Sequence, residues 1–263
     1  IGTVREVHGW TRDGGLSWVD MVDRPEETPP VPKTLDWDLW LGPALHRPYH
    51  PAYAPYNWRG WWDFGSGAIG DMACHNLDPA FWALDLGYPT SVEASSTRLS
   101  NETVPAGAMY HYEFPARGNM PPVTLKWYDG GLMPPRPQGL EDGRRIGGEG
   151  VYFVGDEGVI KCGGWGGTPR IIPESKMIAY KRPPKTIPRV PEHHQDWINA
   201  CKGGDPASSN FDYSGPLTEA VLLGNVALRT GKKLYWDGPN LKAANVPEAD
   251  TYIKPAFREG WGL

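Results

Sequence analysis

The sequence predicts an α+β fold: a large open, mainly antiparallel sheet with helices packed on one face. Three observations carry this. Strand signals follow one another between 91 and 162 without the intervening helices that parallel βαβ units require. One segment, 67–86, has an apolar stripe at helical spacing instead. Finally, Gly (33) and Pro (28) are abundant among the 263 residues, but so are Trp (13) and Tyr (12), rings that a disordered chain cannot bury.

The elements follow in order. Residues 3–11 alternate as a strand, and "RPEETPPVPKT" (24–34) is an extended, Pro-rich connection. "LDWDLWLGP" reads as a short helix stopped by Gly42 and Pro43. Residues 24–64 as a whole form a Pro- and aromatic-rich loop region with no regular period after 43. A helix is expected from about Gly67 to Leu86, ended by Gly87. Strands are expected at "SVEASSTRL", "AGAMYHYEF", "PVTLKWY", "GVYFVG" and "GVIKCG", the last two joined as a hairpin through "DE". Helices at 192–202 and 215–230 and a late strand "KKLYW" complete the reading, with one more short helix in the tail.

Charge and composition exclude several classes. A net charge of -5 argues against a nucleic-acid footprint, and no apolar run is long enough for a membrane helix. Cys74, Cys162 and Cys201 have neither metal nor disulfide spacing and are read as buried thiols. The chain opens directly in a strand without Met, so it is expected to be a piece of a longer protein.

"GSGAIG" (65–70) spells G-x-G-x-x-G, the spacing of a dinucleotide-binding turn. Such a turn follows a buried, β-branched strand, whereas "NWRGWWDF" has no Val or Ile and carries Arg59 and Asp63. The glycines are therefore expected to allow close packing at a helix entrance, and no cofactor-binding residue is assigned in this chain.

The helix beyond them is more informative. Asp71, His75 and Asp78 lie at i, i+4 and i+7 and share one face within about 60° of arc. Ala73, Leu77, Ala80 and Leu84 form the opposite, buried stripe. A solvated polar face is the ordinary explanation of such a row. Against it, Trp82 shares the face and Pro79 interrupts the backbone bonding beside it, either as a break or behind Asp78 as the cap of a new helix. No metal is assigned, because no third or fourth ligand has suitable spacing.

"WWDFGSGAIGDMACHNLD" resembles the principal helix of the second domain in the Gfo/Idh/MocA family of NAD(P)-dependent sugar oxidoreductases. There a G-x-x-x-D-x-x-x-H-x-x-D pattern opens that helix, and Gly67, Asp71, His75 and Asp78 match it in register. "GTVREVHGWT", "VTLKWYDGG" and "EHHQDWINACKGG" extend the likeness over nearly the whole chain. Family members begin with a Rossmann domain and an E-K-P segment whose Lys assists catalysis. Neither is found here, and the one echo, "IKP" at 253–255, lies in the tail.

The resemblance implies that 1–263 is a substrate-binding and oligomerisation domain, the second of a two-domain dehydrogenase. NAD or NADP would be bound mainly by the N-terminal domain. It implies His75 as catalytic base, with Asp71 holding the ring, and Asp78 accepting from a sugar hydroxyl. Oxidising a carbinol needs such a base, and an imidazole, with an ordinary pKa of about 6.5, suits the task. The preceding aromatic loop (45–62) adds Tyr56, Asn57, Arg59 and Trp62 as substrate-binding candidates, since flat rings suit the C–H faces of pyranoses and Arg suits carboxylates. For any one ring, roofing the core is the simpler role. The implied substrate is a carbohydrate, and the implied assembly a homodimer or homotetramer through the sheet, to which the Tyr and Trp of "AMYHYEF" and "VTLKWY" would contribute. An NAD-dependent glycosidase of the same fold and a non-catalytic sugar-binding relative remain as alternatives.

Overall fold

Alternating and apolar runs become nine strands among the described residues (1–20, 23–190 and 192–262) of a computed structural model. They are β1 (Val4–Trp10), β2 (Ser91–Ser96), β3 (Ala108–Phe114), β4 (Val123–Tyr128), β5 (Gly150–Gly155), β6 (Gly158–Cys162), β7 (Arg170–Ile172), β8 (Leu234–Asp237) and β9 (Lys242–Ala243). All join one sheet in the order β7-β6-β5-β1-β4-β3-β2-β8-β9. The sheet is mixed: β1 runs parallel to β4, and the other neighbours are antiparallel. The parallel pair is possible because residues 11–122 return the chain to the side of β1, a crossover that local strand signals do not reveal.

The helices are α1 (Trp37–Leu41), α2 (Cys74–Leu84), α3 (Glu174–Ala179), α4 (His193–Cys201), α5 (Phe211–Thr230) and α6 (Asp250–Ile253). α2 and α5 cover one face of the sheet. Val7, Val92, Tyr110, Tyr112, Leu125, Trp127 and Phe153 point to that side and share a buried cluster with Leu77, Ala80, Leu217 and Val221. The alternation of "AMYHYEF" and "VTLKWY" thus sends Tyr110, Tyr112 and Trp127 under the helices, not to the bare face. The side chains between them, His111, Glu113, Thr124 and Lys126, with Met109 and Tyr128, lie on the opposite face. There Lys126 Nζ donates to Glu6 Oε1 at 2.6 Å and His111 lies 2.7 Å from Glu113. One end of this second face has its own cover: Trp10, Tyr128, Ile146, Tyr152, Val159 and Ile172 form a separate cluster under the loop after β4.

Four boundaries differ from the sequence reading. The 67–86 segment is not uniformly α-helical: a π turn spans Ile69–Ala73, and α2 follows. α2 ends at Asp85, left-handed at φ 49°, before Gly87 is reached. It runs through Pro79 without a break, and Asp78 caps nothing. The 215–230 helix starts at Phe211, because the Asn210 side chain accepts from the Asp212 and Tyr213 amides and caps it. Of the three thiols, Cys162 is buried, Cys74 is intermediate and Cys201 is exposed.

Candidate active site

The entrance to α2 is a packed turn. Gly67 has φ +64°, and a Cβ there would stand 2.9 Å from Val104. At Gly65 a Cβ would meet the Arg59 backbone at 2.6 Å. The glycines thus admit neighbouring protein atoms, and no strand precedes them: Asn57–Gly60 is a 3-10 turn. The apolar stripe behaves as its spacing requires, with Ala73, Leu77, Ala80 and Leu84 all buried.

The polar row is half-exposed, but its members do not bond to one another. The widened π turn rotates Asp71 toward the preceding loop, where its Oδ1 accepts from Arg59 Nε at 3.3 Å. Arg59 is in turn held between two rings, 4.6 Å from the centroids of both Tyr56 and Trp58. Asp71 therefore has a different partner from the one expected, and no hydrogen bond ties it to His75 among the described residues. Asp78 is occupied as well: its Oδ1 accepts from the Tyr213 hydroxyl at 2.6 Å. Burial, and then Asp78, raises the pKa of that phenol well above its ordinary value. Cys74, between Asp71 and His75, has its thiol pushed up by burial and by the Asp71 charge, which disfavours the thiolate.

His75 itself is exposed. Its nearest aromatic neighbour is Trp165, with ring centroids 6.0 Å apart. Trp165 sits in "GGWGG" (163–167) with φ +54°, a conformation that costs a non-glycine residue energy. Two contacts hold the loop there. The Trp165 amide donates to Oδ1 of the fully buried Asn76 at 3.1 Å, and Asn76 Nδ2 donates to the Trp10 carbonyl. Gly166 rests on Pro79, where a Cβ would stand 2.7 Å from Cγ. Trp165, Asn76 and Tyr213 escaped the sequence reading. The one available signal was a Trp set between glycine pairs.

The loop candidates divide. Tyr56 and Arg59 stand beside Asp71, and Asn57 is half-buried in the same turn. Trp62 does not join them. Its neighbour Trp61 is fully buried, and Trp62 turns instead toward α5, with its indole N–H on the Ser100 carbonyl and its ring under Arg229. Tyr53 and Trp61 are roof, packed with Trp18, Trp37 and Leu41 in a satellite core. Among the described residues no cluster of three His, Cys, Asp or Glu could hold a metal ion, and no helix is long and apolar enough to cross a membrane.

Comparisons with known proteins bear on this arrangement. The WlbA dehydrogenase from Bordetella pertussis, solved in complex with NADH and UDP-GlcNAcA, has a TM-score of 0.51 at 15% identity, over 90% of this chain and 56% of that one. An NAD-binding protein from Listeria innocua gives 0.47 at 12% identity, over 88% and 55%. The aldose-aldose oxidoreductase from Caulobacter crescentus, complexed with glycerol, gives 0.43 at 14%, over 90% and 56%. The chain thus spans little more than half the length of these structures. No curated protein matches its sequence. The model of the oxidoreductase family's C-terminal alpha/beta domain matches residues 3–115, a span that includes β1, the aromatic loop, the whole polar row and β3. Residues 3–115 are thus similar to the C-terminal alpha/beta domain of the Gfo/Idh/MocA oxidoreductase family.

Proposed function

We propose that residues 1–263 are the substrate-binding and oligomerisation domain of an NAD- or NADP-dependent oxidoreductase that acts on a sugar, glycoside or related polyol. The observation that carries this reading is His75, an exposed imidazole between an exposed indole and two carboxylates that other side chains already hold. A bound nicotinamide would supply the hydride acceptor. The packed glycine turn 65–70 does not fit the dinucleotide, so the reading assigns cofactor binding to sequence outside this chain.

The roles then divide by geometry. His75 takes the proton of the reacting hydroxyl, a contribution of typically 10² to 10⁴ in rate. Asp71 fixes Arg59 at the rim, and Arg59 with Tyr56 and Asn57 forms a polar and aromatic edge for the rest of the sugar. Asp78 keeps one oxygen for a second hydroxyl while Tyr213 holds the other. Trp165 offers a ring for stacking on the C–H face of a pyranose.

The test is turnover by the full-length protein with NAD and NADP on a panel of aldoses, polyols and glycosides. His75→Ala should lower kcat by two or more orders of magnitude with cofactor affinity nearly unchanged. Near-normal turnover in that variant would overturn the assignment. The bare sheet face, with its Glu6, Lys126, His111 and Glu113 side chains, is the surface proposed for self-association, and a monomer in light scattering at micromolar protein would refute that part.

A further inference from the structure

A cavity of about 340 Å³ opens between α5, α6 and the β8–β9 hairpin. Its walls are Trp62, Glu219, Arg229, Trp236, Leu241 and Tyr252, and none of Asp71, His75 or Asp78 lines it. The volume falls in the range of small-molecule sites.

Two of its polar groups are incompletely used. Arg229 is half-buried in the last turn of α5, its guanidinium 5.2 Å from the Trp62 ring and 4.3 Å from that of Tyr252. The rings occupy the faces of the guanidinium, but its N–H edge has no hydrogen bond or ion pair to any described residue. A cation at a helix C-terminus is electrostatically favourable there, which accounts for the charge but not for idle donors. Burial lowers the pKa of Arg229 and raises that of Glu219. Glu219 Oε1 accepts from Trp236 Nε1 at 2.6 Å, and its other oxygen has no hydrogen-bond partner among the described residues.

We propose that this cavity is a second small-molecule site, for a hydroxylated carboxylate of hexuronic-acid size. Its carboxylate pairs with the Arg229 fork, a hydroxyl donates to Glu219, and its C–H face lies on Trp236. Carboxylate recognition by Arg and ring stacking by Trp are the two interactions such a ligand demands. An apolar anion would waste Glu219, and a neutral sugar would leave Arg229 unpaired. The inference does not depend on the oxidoreductase reading, because no residue of the polar row lines the site and Trp62, a loop candidate in the sequence, faces this cavity instead.

Sodium glucuronate is the probe, titrated into the full-length protein by calorimetry and tryptophan fluorescence, with glucose and benzoate as comparison arms. Glucuronate should bind saturably in the low millimolar range, as expected for a ligand of its size, and at least tenfold tighter than either comparison compound. Arg229→Gln should weaken it at least tenfold, and Glu219→Gln several-fold without weakening benzoate. His75→Ala should leave glucuronate affinity unchanged. No saturable response, equal affinity in a folded Arg229→Gln, or loss of binding in His75→Ala would overturn the proposal. If Arg229→Gln does not fold, Glu219→Gln decides: unchanged glucuronate affinity there overturns it equally.

Discussion

Arg47 and Arg59 stand twelve residues apart in one aromatic loop, and each is caged by two rings, yet they serve different ends. Arg47 is 3% exposed, its guanidinium 5.3 Å from the Tyr53 ring and 5.1 Å from Phe64. It pairs with Asp63 and with Glu102, and its carbonyl accepts from the Trp37 indole. Arg59 has the same kind of cage, Tyr56 and Trp58, but it is a quarter exposed and its carboxylate partner is Asp71. The partner decides the role. Asp63 belongs to the loop itself, so Arg47 closes a satellite core; Asp71 belongs to the polar row, so Arg59 ties the loop to it.

The sharpest way to break that contrast is to remove each guanidinium. Arg47→Ala should destabilise the fold by about 3 kcal/mol, the low end for breaking a buried pair, since Asp63 is partly exposed. Urea denaturation measures this, and a loss below about 1 kcal/mol would make Arg47 no more structural than Arg59. Arg59→Ala should cost less than about 1 kcal/mol, as exposed pairs do. Its effect should fall on sugar kinetics: KM raised about tenfold, with kcat moved less. Asp71→Asn should do less again than His75→Ala, because it frees Arg59 while leaving the proposed base in place. If Arg59→Ala and Asp71→Asn fold normally and leave the kinetics unchanged, the exposed half of the loop is roof like the buried half.

Much of this contrast lay beyond the sequence, for reasons of distance along the chain. The stripe Ala73, Leu77, Ala80, Leu84 was readable because a helix repeats itself within a few residues, and the strands were readable by the same locality. The matching of Gly67, Asp71, His75 and Asp78 to a family pattern was local too. Their partners were not. Tyr213 meets Asp78 across 135 positions and Asn76 meets Trp165 across 89. Only the assembled sheet and helices bring such pairs together. Nor could composition tell Trp61 from Trp62, adjacent residues that face a roof and a cavity respectively. The π turn is the most instructive miss, because a 100° wheel placed Asp71 beside His75 where the wider turn gives it to Arg59.

The smallest expected effect separates strain from use at Trp165. Its left-handed backbone costs about 1–2 kcal/mol that glycine would not incur, while glycine also raises the entropy of the unfolded chain by a comparable amount. The ring is 64% exposed, so deleting it loses little packing. Trp165→Gly should therefore alter stability by no more than about 0.5 kcal/mol, in either direction. Trp165→Ala keeps the strain without the ring and should be slightly less stable than Trp165→Gly. If the indole is a stacking platform beside His75, both variants should raise KM for a pyranose several-fold, by the same factor, although their stabilities differ. A KM that follows stability instead, or does not move, would mean that Asn76 merely closes a loop at this point. Thermal denaturation beside steady-state kinetics of the two variants in the full-length protein decides between them.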